Sequence, residues 1–266
     1  MQTFPGQVEL SDHEVRMAAG ALSARRWRPD GAAEDAPMLL MFHDSLGCVE
    51  LWRNFPADLA AATGLAVVAY DRLGFGRSEP CLGRLDCGFI AEEARSSVPA
   101  LLDQLGVDRF IAFGHSVGGA MAVHAGAAYP DRCAGVITLS AQAFVEDRTL
   151  QAIRDARLQF QDPDQMARLA RYHGAKAPWV LDAWIGTWLS PQFADWTMDD
   201  ALQTLRRPLL AIHGDRDEYG SRAHPQRIVA KAGGGAELLL VEDCGHVPHR
   251  ERPDIVLHAV RQFVLG

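Results

Sequence analysis

One stretch, residues 110–129, constrains the fold more than any other part of the chain. Its sequence, FIAFGHSVGGAMAVHAGAAY, is a short apolar run, then GHSVG at 114–118, then small residues with apolar side chains at helical spacing. Strand, tight turn and helix in that order are the context in which G-x-S-x-G places a nucleophilic serine, here Ser116. Glycines on both sides suit such a turn, because strand and helix approach each other closely. The alternative is an ordinary serine in a strand-to-helix crossover, and the pentapeptide alone does not decide.

Strand and helix patterns alternate on both sides of this stretch. Continuous apolar runs of strand length predict strands buried on both faces, as in a parallel sheet. These runs lie at 38–43, 66–70, 134–139, 208–213 and 236–241. Helical spacing occurs between them, at 51–63, 89–105, 221–232 and 254–265, and residues 1–28 resemble a β-hairpin at a sheet edge. The chain is therefore predicted to be an α/β protein with a mainly parallel sheet flanked by helices.

Between residues 144 and 205 the alternation stops. Three helical segments, at 149–159, 165–173 and 176–189, follow one another with no strand between them. An all-helical insertion into an alternating pattern predicts a helical cap on the sheet domain. We expect a core formed by 1–143 and 206–266, with the cap at 144–205.

Composition excludes some partners. The formal net charge is −8, and no basic cluster exceeds two residues, so no nucleic-acid partner is expected. The first residues lack the pattern of a signal peptide and no run approaches ~18 apolar residues, so we expect a cytoplasmic protein without a membrane partner. Five cysteines without a C-x-x-C pair indicate reduced thiols, with a Cys81–Cys87 bridge as the alternative. The oligomeric state is left open.

A serine nucleophile needs a base and a group that orients the base. His246, in the loop after the last predicted strand, is the candidate base, and His249 is its local competitor. The turn after the preceding strand offers three acids, Asp215, Asp217 and Glu218. The order Ser, Asp, His along the chain is the one found for nucleophiles on such turns.

Five motifs in the right order make the chain resemble the α/β-hydrolase superfamily, in the capped group of esterases, haloperoxidase-like enzymes and carbon–carbon bond hydrolases. They are FHDSLG at 42–47, YDRLGFGRS at 70–78, GHSVGG at 114–119, IHGDRDE at 212–218 and GHVPHRERP at 245–253. The resemblance implies an eight-stranded sheet. It also implies Ser116 as nucleophile, Asp217 as the acid and His246 as the catalytic histidine.

The resemblance further implies an oxyanion hole made by two backbone N–H groups, those of Ser45 and Val117. One residue departs from the pattern, since many relatives have His-Gly where this chain has His43-Asp44. A carboxylate beside an oxyanion hole disfavours negative charge if it points inward. Asp44 is therefore interpreted as a possible modulator: it turns away and anchors the loop, for example to Arg72, or it touches substrate or a catalytic water.

The cap supplies aromatic side chains that a substrate pocket would use. Trp184 and Trp188 are four residues apart, a spacing that also fits an ordinary packing stripe. We expect Phe144, Trp184 and Trp188 to line the pocket, with Leu46 on the opposite wall. Apolar pockets with few polar groups suit small molecules.

The expected activity is hydrolysis of a small, rather apolar ester-type substrate by a serine hydrolase, through an acyl-enzyme and without metal or cofactor. An alternative is a carbon–carbon bond hydrolase of ring-cleavage products, which would need a basic group inside the cap. The arginines available there are Arg154, Arg157, Arg168 and Arg171. Perhydrolase activity at the same site and a non-catalytic ligand-binding protein are the remaining alternatives.

Overall fold

The computed structural model describes residues 7–266, and its centre is one eight-stranded sheet in the order β1-β2-β4-β3-β5-β6-β7-β8. The strands are β1 (Val8–Met17), β2 (Gly20–Pro29), β3 (Met38–Phe42), β4 (Val67–Tyr70), β5 (Phe110–His115), β6 (Cys133–Leu139), β7 (Leu209–Gly214) and β8 (Ala236–Val241). β1 pairs with β2, and β2 with β4, in antiparallel fashion, whereas every pair from β4 to β8 is parallel. The predicted α/β class and the mainly parallel eight-stranded sheet are confirmed.

The described part of the chain contains ten α-helices. They are α1 (Phe55–Thr63), α2 (Phe89–Gln104), α3 (Val117–Ala128), α4 (Asp147–Gln159), α5 (Pro163–His173), α6 (Ala177–Trp188), α7 (Asp199–Thr204), α8 (Ala223–Lys231), α9 (Pro248–Glu251) and α10 (Pro253–Leu265). The helix predicted at 51–63 is in fact a 3-10 turn followed by α1, because Arg53 between them has a φ of 55° and interrupts the helix. The short helices α7 and α9 escaped the sequence prediction, since four to six residues show no periodicity.

The central strands are buried on both faces, as their continuous apolar runs predict. In β3, Leu40 and Phe42 belong to a cluster with α2 and α3, whereas Leu39 and Met41 belong to a cluster with α1 and α10. This alternation follows from the two-residue period of a strand. The sheet is thus a rigid middle layer, and its loops are held at fixed positions along the edge where the parallel strands end.

Helices α4–α7 lie between β6 and β7, with no strand among them other than one isolated bridge. That bridge joins Phe144 to Thr197, and the Met198 N–H donates to the Ala143 carbonyl at 3.0 Å. The two ends of the helical segment therefore lie side by side where they join the sheet domain. Its division from the core at 144 and 205 stays a prediction.

Two further properties of residues 7–266 bear on the expectations from the sequence. No helix there combines the length and the apolar character that crossing a membrane requires. All five thiols are free, so no disulfide joins Cys81 to Cys87. Cys48, Cys133 and Cys244 are buried, and burial raises the pKa of each of these thiols.

Candidate active site

Ser116 lies on a strained turn between β5 and α3. Its φ is 56° and its ψ is −125°, a backbone conformation that residues other than glycine rarely adopt. Its N–H donates to the Leu139 carbonyl of β6 at 2.8 Å, which ties the turn to the sheet. A Cβ on Gly114 would overlap the backbone of Gly118, and a Cβ on Gly118 would overlap the Phe42 carbonyl. Both glycines of the motif are therefore required for the helix to start this close to the sheet.

Asp217 and His246 come together from the loops after β7 and β8. His246 Nδ1 lies 2.9 Å from Asp217 Oδ2 and 3.0 Å from Oδ1. Asp217 Oδ1 also accepts the backbone N–H groups of Tyr219 at 2.8 Å and Gly220 at 3.0 Å. The carboxylate is held on three sides, so the imidazole is oriented with Nδ1 towards it.

The competing residues have other contacts. Asp215 Oδ1 accepts the Cys244 N–H at 3.3 Å, and Glu218 Oε2 accepts the backbone N–H of His246 at 3.1 Å. His249 is buried against Trp52, with ring centroids 4.8 Å apart. Of the three acids and two histidines considered, only Asp217 and His246 form a side-chain pair.

The pair shifts the pKa of both partners. Burial alone would raise the pKa of Asp217, but the hydrogen bond and charge of His246 outweigh it and lower that pKa to about 2. Burial alone would lower the pKa of His246, yet the hydrogen bond to Asp217 and its charge raise it above the ordinary value of 6.5. Asp217 therefore stays ionised at neutral pH and stabilises the imidazolium form of His246.

The Ser116 hydroxyl donates to Gln142 Oε1 at 3.2 Å. Gln142 is buried in the loop after β6, and sequence reasoning missed it. The sequence feature that could have identified Gln142 is its place: it is a polar residue shortly after β6, at the sheet edge where the other loops of the site lie. Attack on a substrate requires the hydroxyl to turn from Gln142 to His246, and looser contacts of this kind are common before a substrate binds.

The backbone N–H groups of Ser45 and Val117 have no hydrogen-bond acceptor in the described part of the chain. Ser45 follows β3, and Val117 is the first residue of α3, where the helix dipole favours negative charge. Two free donors beside a candidate nucleophile are what an oxyanion hole requires.

Asp44 closes the loop that carries Ser45. Its Oδ1 accepts the Leu46 N–H at 2.9 Å, and its Oδ2 lies 3.4 Å from Nδ1 of His115. The Arg72 guanidinium donates at 3.0 Å to the Asp44 backbone carbonyl, so the anticipated link to Arg72 does not involve the carboxylate. Burial opposes ionisation of Asp44, but the neighbouring His115 side chain and the Leu46 N–H hold its pKa well below the usual range.

His115 connects this loop to the loop of the candidate base. Its Nε2 donates to the backbone carbonyl of His246 at 2.8 Å, while Nδ1 faces Asp44. One side chain thus bridges the loops after β3 and β8, directly beside Ser116.

A cavity of about 260 Å³ opens over Ser116. Of the residues predicted to form a pocket, Leu46, Trp184 and Trp188 line it, but Phe144 does not. Phe144 packs at the base of the helical segment, with its ring 4.5 Å from that of His224 and the Arg227 guanidinium 5.0 Å above it. The full lining is Asp44, Ser45, Leu46, Leu51, His115, Ser116, Gln142, Thr149, Ile153, Trp184, Trp188, Tyr219, His246, Val247 and Arg250.

The family model for the alpha/beta hydrolase fold matches residues 37–253, which include every candidate site residue. The chain belongs to the α/β-hydrolase family. The match assigns the family and does not by itself assign a reaction.

Individual relatives of this α/β hydrolase are distant. It is 30% identical to lipase LipV of Mycobacterium tuberculosis over 168 residues, which cover 61% of this chain and 59% of the lipase, less than two thirds of that relative's length. A proline iminopeptidase of Mycobacterium smegmatis superposes with a TM-score of 0.73 at 20% identity, over 96% of this chain and 97% of that one. A thermophilic esterase from Thermogutta terrifontis superposes with a TM-score of 0.71 at 18% identity, over 96% and 98%. At these identities the two structures show the shared fold alone.

The basic residues of the chain lie differently from the sequence expectation. The four arginines considered for the inside of the cap, Arg154, Arg157, Arg168 and Arg171, are all exposed. A cation does line the cavity, but it is Arg250 of α9, on the sheet side next to the loop of His246. The sequence analysis identified His246 but did not predict the short helix α9 that follows it. Arg250 was missed for that reason.

Proposed function

We propose that this α/β hydrolase cleaves carboxylic esters of small, rather apolar substrates through an acyl-enzyme. Ser116 is the nucleophile, His246 the general base and Asp217 the group that orients it. The observation that carries the proposal is the two-oxygen contact of Asp217 with His246 Nδ1, at 2.9 and 3.0 Å, in the cavity that Ser116 also lines.

The first half of the reaction forms the acyl-enzyme. Ser116 Oγ attacks the carbonyl carbon while its proton passes to His246 Nε2, and the carbonyl electron pair moves to the oxygen. The Ser45 and Val117 N–H groups bind that oxyanion. When the tetrahedral intermediate collapses, the ester C–O bond breaks and the alcohol leaves with the proton from His246.

Water completes the cycle by the same route. It attacks the acyl carbon, gives a proton to His246, and the second tetrahedral intermediate releases the acid and returns the proton to Ser116. Asp217 is suited to its part because it remains ionised, and it fixes Nδ1 as the donor so that Nε2 carries the lone pair.

The cavity supports the substrate class. Its helical side is formed by Ile153, Trp184 and Trp188 with Thr149, and its volume of about 260 Å³ suits an acyl group of modest size. We propose the segment 144–205 as the cap that shields the acyl-enzyme from bulk water.

A fluorophosphonate probe tests the function, because it labels a serine only when the serine is activated by a base. Wild type is expected to be labelled and Ser116→Ala is not. Ser140→Ala is the matched control: Ser140 is also buried and has a φ of 46°, but it does not line the cavity. A folded wild type that resists labelling and leaves 4-nitrophenyl esters intact would favour a non-catalytic binding protein.

The position of Arg250 favours a second candidate function, which is hydrolysis of a carbon–carbon bond in an acidic ring-cleavage product. Such a substrate needs a cation near its carboxylate, and Arg250 lines the cavity beside Val247. Turnover of a dienoate ring-cleavage acid, with a raised KM in Arg250→Gln and not in Arg252→Gln, would support this reaction over ester cleavage. Rapid turnover of 4-nitrophenyl esters with no consumption of the dienoate would exclude it.

A further inference from the structure

A small void, which we call the passage, lies beside the catalytic cavity on the side of the candidate oxyanion hole. It holds only about 10 Å³ and is lined by both Ser45 and Val117. Its other lining residues are Arg72, Phe75, Leu85, Phe89, Ala183, Trp184 and Trp188. Ser45, Trp184 and Trp188 also line the cavity, so the passage and the cavity share a wall.

On the far side of the passage lies a much larger groove, of about 790 Å³, between α2 and the loop at 79–88. Passage and groove share Arg72, Phe75, Leu85 and Phe89. Cavity, passage and groove therefore lie next to one another in that order, with shared side chains between them and the smallest space beside the oxyanion hole.

The geometry of acyl transfer determines which part of a substrate the passage and the groove can receive. The leaving alcohol must lie near His246, because it takes its proton from that side chain. His246 lines the cavity but neither the passage nor the groove. With the carbonyl oxygen at the Ser45 and Val117 amides, the group that points into the passage is the acyl group.

The chemistry of the groove suits a hydrocarbon chain. Leu73, Phe75, Leu85 and Phe89 contribute apolar surface. Two of its charged residues, Arg95 and Glu92, pair with each other at the rim, while Arg84 pairs with Asp182.

Arg72 is the cation of the passage, where one terminal nitrogen has a partner and the buried Nε has none among residues 7–266. It is buried, donates to the Asp44 carbonyl at 3.0 Å, and its guanidinium lies 4.1 Å from the ring centroid of Phe75. Its role in the passage is thus to hold the oxyanion loop in place while Phe75 covers it.

We propose that the acyl site of this hydrolase continues through the passage into the groove, so that its substrates include esters of long, linear acyl chains. The inference rests on the proposed ester hydrolysis and extends it from a modest acyl group to a longer one. Phe89, half-buried on α2, and Leu85, on the loop at 79–88, are the side chains that must move to admit the chain.

The test is a chain-length series of 4-nitrophenyl esters: acetate, butyrate, octanoate and laurate. Its readout is the ratio of kcat/KM on laurate to that on acetate, with active sites counted by fluorophosphonate labelling. Ala183→Phe fills the passage and is expected to lower the ratio by about tenfold or more, on the scale that one methylene carries in an apolar pocket. Leu85→Ala and Phe89→Ala widen the passage and are expected to raise the ratio.

Leu82→Ala is the matched control for Leu85→Ala. Leu82 is on the same loop, is 91% exposed and lines none of the three spaces, so the ratio should stay at the wild-type value. Unchanged ratios in Ala183→Phe, Leu85→Ala and Phe89→Ala, with short esters still hydrolysed, would overturn the acyl passage and leave the ester function standing. Absence of labelling and of all ester turnover would overturn both.

Discussion

The two walls of the catalytic cavity differ in chemistry. One wall, called the sheet wall, is formed by loops at the sheet edge. It carries the charged and titratable groups of the cavity, among them Asp44, His115, His246 and Arg250. The other, called the helical wall, is formed by α4 and α6. It consists of Thr149, Ile153, Trp184 and Trp188 and carries no charge.

The walls also differ in how they are held. On the sheet wall the polar groups bond to one another, as where His115 bridges Asp44 and the His246 carbonyl. On the helical wall, aromatic rings pack together, as where Trp188 lies 5.1 Å from Phe193. A sheet-wall substitution should therefore change the rate of the chemical step, and a helical-wall substitution should change which acyl groups bind.

The largest effect is expected for Ser116→Ala on the sheet wall. Loss of the nucleophile lowers kcat by about 10⁶-fold in a comparable serine hydrolase. The helical wall is intact in this variant, so it should still bind a hydrolysis product such as butyrate. The measurements are single-turnover rates on 4-nitrophenyl butyrate and calorimetric binding of butyrate to wild type and variant. Rapid residual turnover in a correctly folded variant would show that Ser116 is not the nucleophile.

The sheet wall was also the part that could be predicted from sequence. Ser45, Ser116, Asp217 and His246 each follow a strand, and the ends of parallel strands meet at one edge of the sheet. The pattern of apolar runs predicts that edge, and the motifs then identify the residues on it. Gln142 was missed because it belongs to no motif. Arg250 was missed because its motif at 245–253 was used only to identify His246, although both residues follow the same edge.

Asp217→Asn is expected to have the next largest effect, a loss in kcat of about 10⁴-fold, as in the equivalent change in another triad. It also moves the pH profile. Since Asp217 raises the pKa of His246 and His246 must be neutral to accept a proton, wild-type kcat/KM should rise with pH through a midpoint above 6.5. Asparagine removes the charge while burial remains, so the midpoint should shift to lower pH.

The pH dependence of kcat/KM from pH 5 to 9 for both proteins measures this shift. Glu218→Gln is the control, because Glu218 bonds to the backbone N–H of His246 and raises the pKa of the imidazole by its charge alone, so its midpoint should shift less. A midpoint that moves equally in both variants would mean that the general negative charge near the loop, and not the Asp217 contact, sets the pKa of His246.

The helical wall was harder to predict, for a physical reason. Spacing along a helix shows which residues share a face but not what that face packs against. Trp184 and Trp188 share the face of α6 that meets the cavity, as expected. Phe144 lies outside the helices, at the bridge to Thr197, and its ring contacts His224 instead.

Trp184→Ala should remove apolar surface from the helical wall, which enlarges the cavity, and should leave the sheet wall in place. We expect a rise in KM of about tenfold on 4-nitrophenyl butyrate, since the acyl group loses an apolar contact, with a smaller change in kcat. Trp179→Ala is the matched control: Trp179 is also on α6 but does not line the cavity. A large fall in kcat at constant KM would contradict the division of roles between the walls.

Asp44→Asn is expected to have the smallest effect, although Asp44 lies next to the oxyanion loop. Its Oδ1 accepts the Leu46 N–H, and the amide oxygen of asparagine can accept the same bond. What is lost is the charge that faces His115 at 3.4 Å. We therefore expect kcat to change by less than about fivefold, which corresponds to about 1 kcal/mol, the typical worth of one hydrogen bond.

Asp44→Ala separates the two contacts of this side chain, because it removes the bond to Leu46 together with the charge. If Asp44 acts by holding the loop, kcat should fall further in Asp44→Ala than in Asp44→Asn, since the Ser45 N–H would no longer be fixed towards the oxyanion. If instead both variants lose activity equally and heavily while their thermal unfolding matches wild type, the carboxylate takes part in the reaction itself. Steady-state kinetics on one ester with both variants distinguishes these results, and the second would move Asp44 from the support of the sheet wall into its chemistry.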